Sequence, residues 1–156
     1  MMRFFAICAT IALMAQASAV AETRRFEIGG RTFSITLAPN WLPMEGLEDT
    51  DTAGLELEDC GSLIFILQDS NVDAISLAVF RDLVKPRPVQ IEQVSFGTIL
   101  TASSENRTDM IADCGKECSL RISLDLTAKC VAQKDVTLAE LRKCLETASL
   151  RTDMQE

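Results

Sequence analysis

The chain is predicted to fold as an α+β domain: a mainly antiparallel sheet of five to seven strands with a C-terminal helix packed on one face. Three stretches carry this reading: a two-strand hairpin over 24–37, an alternating run from Cys118 to Cys130, and a helical stripe from Thr137 to Ala148. A β-sandwich with a helical tail is the alternative architecture.

In the hairpin, Phe26 and Ile28 alternate with polar residues, as do Phe33, Ile35 and Leu37 beyond Gly29-Gly30. Two glycines between alternating runs supply the two positive-φ positions of a tight turn. Pairing Ile28 with Arg31 then sets Phe26 opposite Phe33 on one face. Pro39 and Pro43 bracket Trp41 in a turn. Leu55 and Leu57 suggest a short strand, Leu63 to Leu67 a central one, and Ile75, Leu77 and Val79 a further alternating strand. Lys85-Pro86-Arg87-Pro88 is a loop, because a proline pair suits neither a helix nor a central strand. Residues 89–103 fit neither period, and 104–109 is polar and reads as loop. From Cys118 to Cys130, seven small or apolar residues alternate with polar ones, the pattern of a half-buried strand. In the last segment, Thr137 and Glu140 form a capping box, with Leu138, Leu141, Leu145 and Ala148 at helical spacing.

Residues 1–21 read as a secretory signal, leaving 22–156 as one globular domain. Arg3 precedes an apolar run from Phe4 to Met14, and two small-residue sites overlap at Ala17-Ser18-Ala19 and Ala19-Val20-Ala21. The mature chain is then expected to start at Val20 or Glu22, in the periplasm or outside the cell. An uncleaved anchor is the competing reading. Phe4 to Ala21 is short for a bilayer and ends in Ala, Ser and Gln, so no stable membrane span is expected after cleavage.

The composition excludes more than it suggests. The chain has 15 basic and 23 acidic residues, a formal charge of −8, which repels nucleic acid and anionic lipid. It has no histidine, so Ser-His and Cys-His nucleophilic pairs and imidazole metal ligands are absent. It has no tyrosine and one tryptophan, Trp41. The acids cluster: between Arg31 and Arg81 stand nine carboxylates and no base, densest at Glu45, Glu48, Asp49, Asp51, Glu56, Glu58 and Asp59. Counted from Asp49, a calcium loop would have Ala53 at its fifth position and Cys60 at its twelfth, where a bidentate glutamate belongs. A solvated face, or a docking face for a basic protein partner, is therefore expected, with no metal and no cofactor. Asn106-Arg107-Thr108 matches a glycosylation sequon and marks a surface loop.

Cys114 and Cys118 are spaced C-x3-C and precede a strand, unlike the C-x2-C at a helix start of redox proteins. Exported cysteines favour structural disulfides. If Cys118 to Cys130 is one extended strand, its ends lie roughly 40 Å apart, too far to bond each other. Cys114, four residues from Cys118, cannot reach Cys130 either. The expected pairs are Cys114–Cys118 and Cys130–Cys144, with Cys60 left as a free thiol.

The stretch Phe33-Ser34-Ile35-Thr36-Leu37-Ala38-Pro39-Asn40-Trp41 resembles the opening of PsbP/Mog1/DcrB-like domains. There a strand followed by proline, a turn residue and tryptophan opens an antiparallel sheet flanked by helices. The resemblance implies an exported, non-enzymatic accessory or binding domain of α+β fold. The expected function is accordingly that of a non-catalytic accessory or binding protein acting through a protein partner. The alternative is a thiol–disulfide redox protein using Cys114 and Cys118.

Overall fold

The computed structural model describes residues 20–47, 51–74 and 77–153. Residues 1–19 of the expected signal segment 1–21 lie outside them, as do Glu48, Asp49 and Ile75.

Strands β1 (Glu22–Ile28) and β2 (Arg31–Leu37) form the hairpin in the expected register, Ile28 opposite Arg31 and Phe26 opposite Phe33. Gly29 and Gly30 stand at φ 56° and 75°, the two left-handed positions that a two-residue turn requires. The rings of Phe26 and Phe33 stack 5.6 Å apart, and Phe26 reaches Phe65 at 4.6 Å.

Seven further strands make one antiparallel sheet: β3 (Trp41–Pro43), β4 (Thr52–Leu57), β5 (Gly61–Gln68), β6 (Gln90–Val94), β7 (Gly97–Ser103), β8 (Arg107–Asp113) and β9 (Ser119–Leu126). Their spatial order is β3-β4-β5-β9-β8-β7-β6, every neighbour antiparallel. Helix α1 (Leu77–Val84) joins β5 to β6, and α2 (Lys134–Asp153) closes the described chain.

Alternation sorts the side chains between two faces. On one face Leu63 and Phe65 of β5, Ile122 and Leu124 of β9 and Met110 of β8 share a core with Ile28, Phe33 and Ile35 of the hairpin. Leu141, Cys144 and Leu145 of α2 complete that core. On the other face Leu100, Ala102 and Ile111 pack under Phe80 and Val84 of α1. The β3–β5 side of this second face stays open, leaving Leu42 and Ile66 exposed. The molecule is thus α+β, with α2 packed on one face of a seven-stranded sheet.

Several local expectations are corrected. Leu77 and Val79 belong to α1, not to a strand: Leu77, Phe80 and Val84 share a helical face that seals Leu100 and Ile111. Trp41 begins β3 rather than sitting in a turn, and it is fully buried. Residues 89–103 are two strands, β6 and β7, joined by a turn at Ser95-Phe96. Gly97 is required there, since a Cβ on it would stand 2.3 Å from the Asp113 carboxylate. Strand β8 starts at Arg107, inside the segment read as loop. Strand β9 stops at Leu126, and the chain turns through Thr127–Lys129 before Cys130. Thr137 lies inside α2, its hydroxyl donating to Gln133 O at 2.8 Å, so it caps nothing. A 3-10 turn at Val131–Gln133 feeds α2 instead.

That early end to β9 changes the covalent framework. Cys114 bonds Cys118, but Cys130 bonds Cys60, with Cα atoms 5.4 Å apart. The expected Cys130–Cys144 bond is absent; among the described residues Cys144 is the free thiol, and Cys60 is not. The cause is the turn: Thr127 N donates to Cys60 O at 2.7 Å, folding the chain after β9 back over the β4–β5 turn.

Candidate functional site

Of the acidic block, Glu45, Asp51, Glu56, Glu58 and Asp59 are described, and all five are exposed. Glu56 stands on β4 opposite the exposed Leu42 of edge strand β3. Glu58 and Asp59 form the β4–β5 turn, Asp59 in the left-handed region at φ 58° that asparagine and aspartate tolerate. Asp51 marks the other end of β4, where its carbonyl accepts from Leu67 N at 2.8 Å. The structure thus spreads the carboxylates along the β3–β4 side of the sheet rather than converging them. Among the described residues none of the five makes an ion pair, and no cluster of cysteines and acids is placed to hold a metal ion.

The Cys114–Cys118 pair has the opposite character. Both residues are essentially inaccessible, at 1% and 0% exposure. Cys114 N donates to Cys118 O at 3.0 Å, closing the β8–β9 connection. Asn71 stitches this loop to the segment before α1: its Nδ2 donates to Gly115 O at 2.8 Å and to Asp113 Oδ1 at 3.1 Å, while Glu117 N donates to its Oδ1 at 3.0 Å. The buried Asp113 carboxylate accepts from Val72 N and Thr98 N, both at 2.7 Å. A redox disulfide needs a sulfur that a thiolate can reach, in an electropositive and partly open setting. This one is sealed beneath a hydrogen-bonded loop beside a buried carboxylate.

Cys144 is equally closed. Burial pushes its thiol up to about 11, against the smaller opposing pulls of the Ser34 backbone and Arg151. It is therefore protonated and inert at neutral pH. Ellman titration of the folded protein lacking residues 1–21 is expected to detect no thiol, and one thiol per chain after unfolding. A rapidly reacting native thiol would contradict both the burial of Cys144 and the disulfide pairing.

A second buried carboxylate lies on the opposite face from α2. Asp109 accepts from Arg87 through a very short ion pair, from Arg107 Nε at 2.9 Å and from Ser123 Oγ at 2.7 Å. Burial alone would raise its pKa, but the hydrogen bonds from Arg107, Arg87 and Ser123 outweigh it and hold the group at about 2. Arg87 also donates to Ala102 O at 3.0 Å and to Val84 O at 3.2 Å. It fastens the end of α1 and the proline loop to the sheet. A carboxylate ionised at neutral pH and fully partnered is an anchor and offers no proton to chemistry.

A cleft of about 550 Å3 opens where α2 leaves the β6–β8 end of the sheet uncovered. Ile99, Met110, Leu138 and Leu145 form its apolar walls, and Thr101 contributes a hydroxyl. Across its mouth Arg142 of α2 grips Glu92 of β6 with two hydrogen bonds of 2.7 Å. None of these groups is paired as nucleophile and base.

No family model matches the chain, and no curated protein matches it in sequence. Among solved structures, a mutant of the protein Mog1 is similar at 14% identity and a TM-score of 0.45, over 84% of this chain and 94% of that one. The likeness is a weak resemblance to Mog1-like domains, in line with the Phe33–Trp41 stretch, and it assigns neither ligand nor activity.

The sequence pointed to the acidic face and the cysteines. It missed the Asp109 and Asp113 anchors and the α2–β6 cleft. Asp109, Ile111 and Asp113 do alternate with Thr108, Met110 and Ala112, a period-two signal hidden by its polar members. Nothing in the sequence pairs Glu92 with Arg142.

Proposed function

We propose that the chain is an exported, non-catalytic accessory protein that binds a basic protein partner through the acidic β3–β4 side of its sheet. The observation that carries this reading is the set of five exposed carboxylates, Glu45, Asp51, Glu56, Glu58 and Asp59, none with an internal counter-ion among the described residues. Unpaired like charges on one side destabilise the monomer slightly and gain mainly by steering an oppositely charged partner. Leu42, 55% exposed beside Glu56, supplies apolar contact within the charged rim. Export is supported by the basic–apolar–small pattern of residues 1–21 and by two disulfides, which persist in oxidising compartments. No helix among the described residues is long and apolar enough to cross a membrane. The redox alternative is disfavoured by the burial of Cys114 and Cys118.

The test takes a partner captured from the native envelope or medium and measures its association rate by surface plasmon resonance. Neutralising Glu56, Glu58 and Asp59 together (E56Q, E58Q, D59N) is expected to slow association on the order of tenfold, and added salt to do the same to the parent protein. Neutralising Glu146, on the exposed side of α2, is the control and leaves the rate unchanged. An association rate indifferent to both the triple substitution and salt would overturn the proposal.

A further inference from the structure

The two edges of the seven-stranded sheet differ. Strand β3 is three residues long and ends on Pro43, which has no N–H to offer a neighbour. Short strands and prolines are standard protection against edge-to-edge pairing. Strand β6 has neither device: Gln90, Ile91, Glu92 and Gln93 are all exposed, with no proline and no lysine among them. Ile91 is 51% exposed, on a strand with no neighbouring strand on its outer side among the described residues.

The hydrogen-bonding direction of β6 follows from its turn. A two-residue turn at Ser95-Phe96 makes Val94 and Gly97 a hydrogen-bonded pair, and antiparallel pairs then alternate. Gln90, Glu92 and Val94 therefore bond inward to β7. Ile91 and Gln93 turn their N–H and C=O groups outward. Consistently, Thr98 N, in the residue opposite Gln93, points away from β6 to the Asp113 carboxylate at 2.7 Å.

We infer that β6 is the contact through which two copies of this chain pair, antiparallel and about a two-fold axis at Ile91, to give one continuous sheet of fourteen strands. The sequence is self-complementary in that register. Ile91 meets Ile91 of the second copy, covering both exposed side chains. Gln90 meets Glu92 of the second copy, an amide donor against a carboxylate already held by Arg142. Moving the axis by one residue, to Glu92, also satisfies the outward groups but sets like charges face to face, which is unfavourable.

The net charge does not oppose this contact. The acidic segment flanks β3 and β4, and β4 lies five strand spacings from β6, about 24 Å at about 4.8 Å each. That exceeds the Debye length of about 8 Å at physiological salt. Beside the edge the charges balance: Glu92 pairs with Arg142, and Lys85 pairs with Asp82. The inference is independent of the proposed partner surface, which lies at the opposite edge.

The test is sedimentation velocity of the exported protein from about 1 µM to about 1 mM, a range suited to a small and reversible interface. Hydrogen exchange is followed at the Ile91 and Gln93 amides over the same series. The expected result is a monomer–dimer equilibrium, with both amides becoming more protected as concentration rises. Ile91→Pro removes an outward N–H and leaves the β6–β7 ladder intact, so it should weaken association at least tenfold without lowering Tm. Should that variant not fold, Ile91→Lys serves the same purpose on an exposed side chain. Gln90→Lys should tighten the dimer by facing Glu92 of the second copy, and Gln90→Glu should loosen it. A monomer throughout the range, a dimer unmoved by the Ile91 variants, or protection independent of concentration would each overturn the inference.

Discussion

Replacing Asp109 by asparagine is expected to cost about 3 kcal/mol of unfolding free energy at pH 7. Removing one partner from a buried ion pair typically costs about 3–5 kcal/mol, because the remaining charge is left uncompensated. Here Arg87 is the charge at risk: its side chain is 17% exposed and Asp109's is 3%. The low end applies because Arg87 keeps its bonds to Val84 O and Ala102 O, and because the half-exposed Arg107 can turn to Asp125, now 3.8 Å away. The pH dependence supplies a second reading of the same group. Its folded pKa of about 2 lies below the value in the unfolded chain, so the stabilisation is present in full above about pH 5. It is lost as pH falls from there through about 2, and the displacement corresponds to about 2 kcal/mol. Denaturant unfolding at pH 7 and at pH 2.5 decides the matter. The variant should be less stable than the parent at pH 7, and the gap between them should shrink by about half at pH 2.5. Equal acid sensitivity in the two proteins would show that Asp109 is not the titrating anchor.

That anchor also explains which parts of the fold were legible in the sequence. The hairpin, β5, β9 and the body of α2 announce themselves because their buried positions are apolar at period 2 or 3.6. Strand β8 sits near the middle of the sheet yet reads as loop at its start, because Thr108 and Asp109 are buried there. Such residues are tolerated inside only when partnered. Their partners come from elsewhere: Arg87 lies 22 residues before Asp109, and Asn71 lies 42 before Asp113. A local pattern cannot reveal that compensation. Helix α1 was misread for a related reason: Leu77 and Val79 alternate over too short a span, and Phe80 decides the period only once Leu100 and Ile111 are seen beneath it. For the candidate site, exposure of the acids was readable from composition. The Glu92–Arg142 bridge was not, since it joins residues 50 apart on different elements.

Cysteine connectivity turns on where β9 ends, and it yields the second large effect. Ending β9 at Leu126 instead of Cys130 brings Cys130 to Cys60 and closes a loop of 70 residues. In the chain-entropy description a loop of that length restricts the unfolded chain by about 4 kcal/mol, against about 2 kcal/mol for the four-residue Cys114–Cys118 loop. Cys60→Ala, Cys130→Ala and the double variant are therefore expected to lose about 4 kcal/mol each. The double is no worse than either single, because both singles already break the same bond. For a domain of this size the loss lowers Tm on the order of 10 °C. Cys144→Ala removes only a buried sulfur that packs as a small apolar group, so its cost should stay near 1 kcal/mol. The pairing expected from the alternating run predicts the reverse, with Cys144→Ala as damaging as Cys130→Ala and Cys60→Ala mild. Thermal melts of the four variants separate the two frameworks, and unreduced peptide mapping names the bond directly. A Cys130–Cys144 peptide, or a large loss on removing Cys144 alone, would return β9 to its full predicted length and undo the link between the β4–β5 turn and the start of α2.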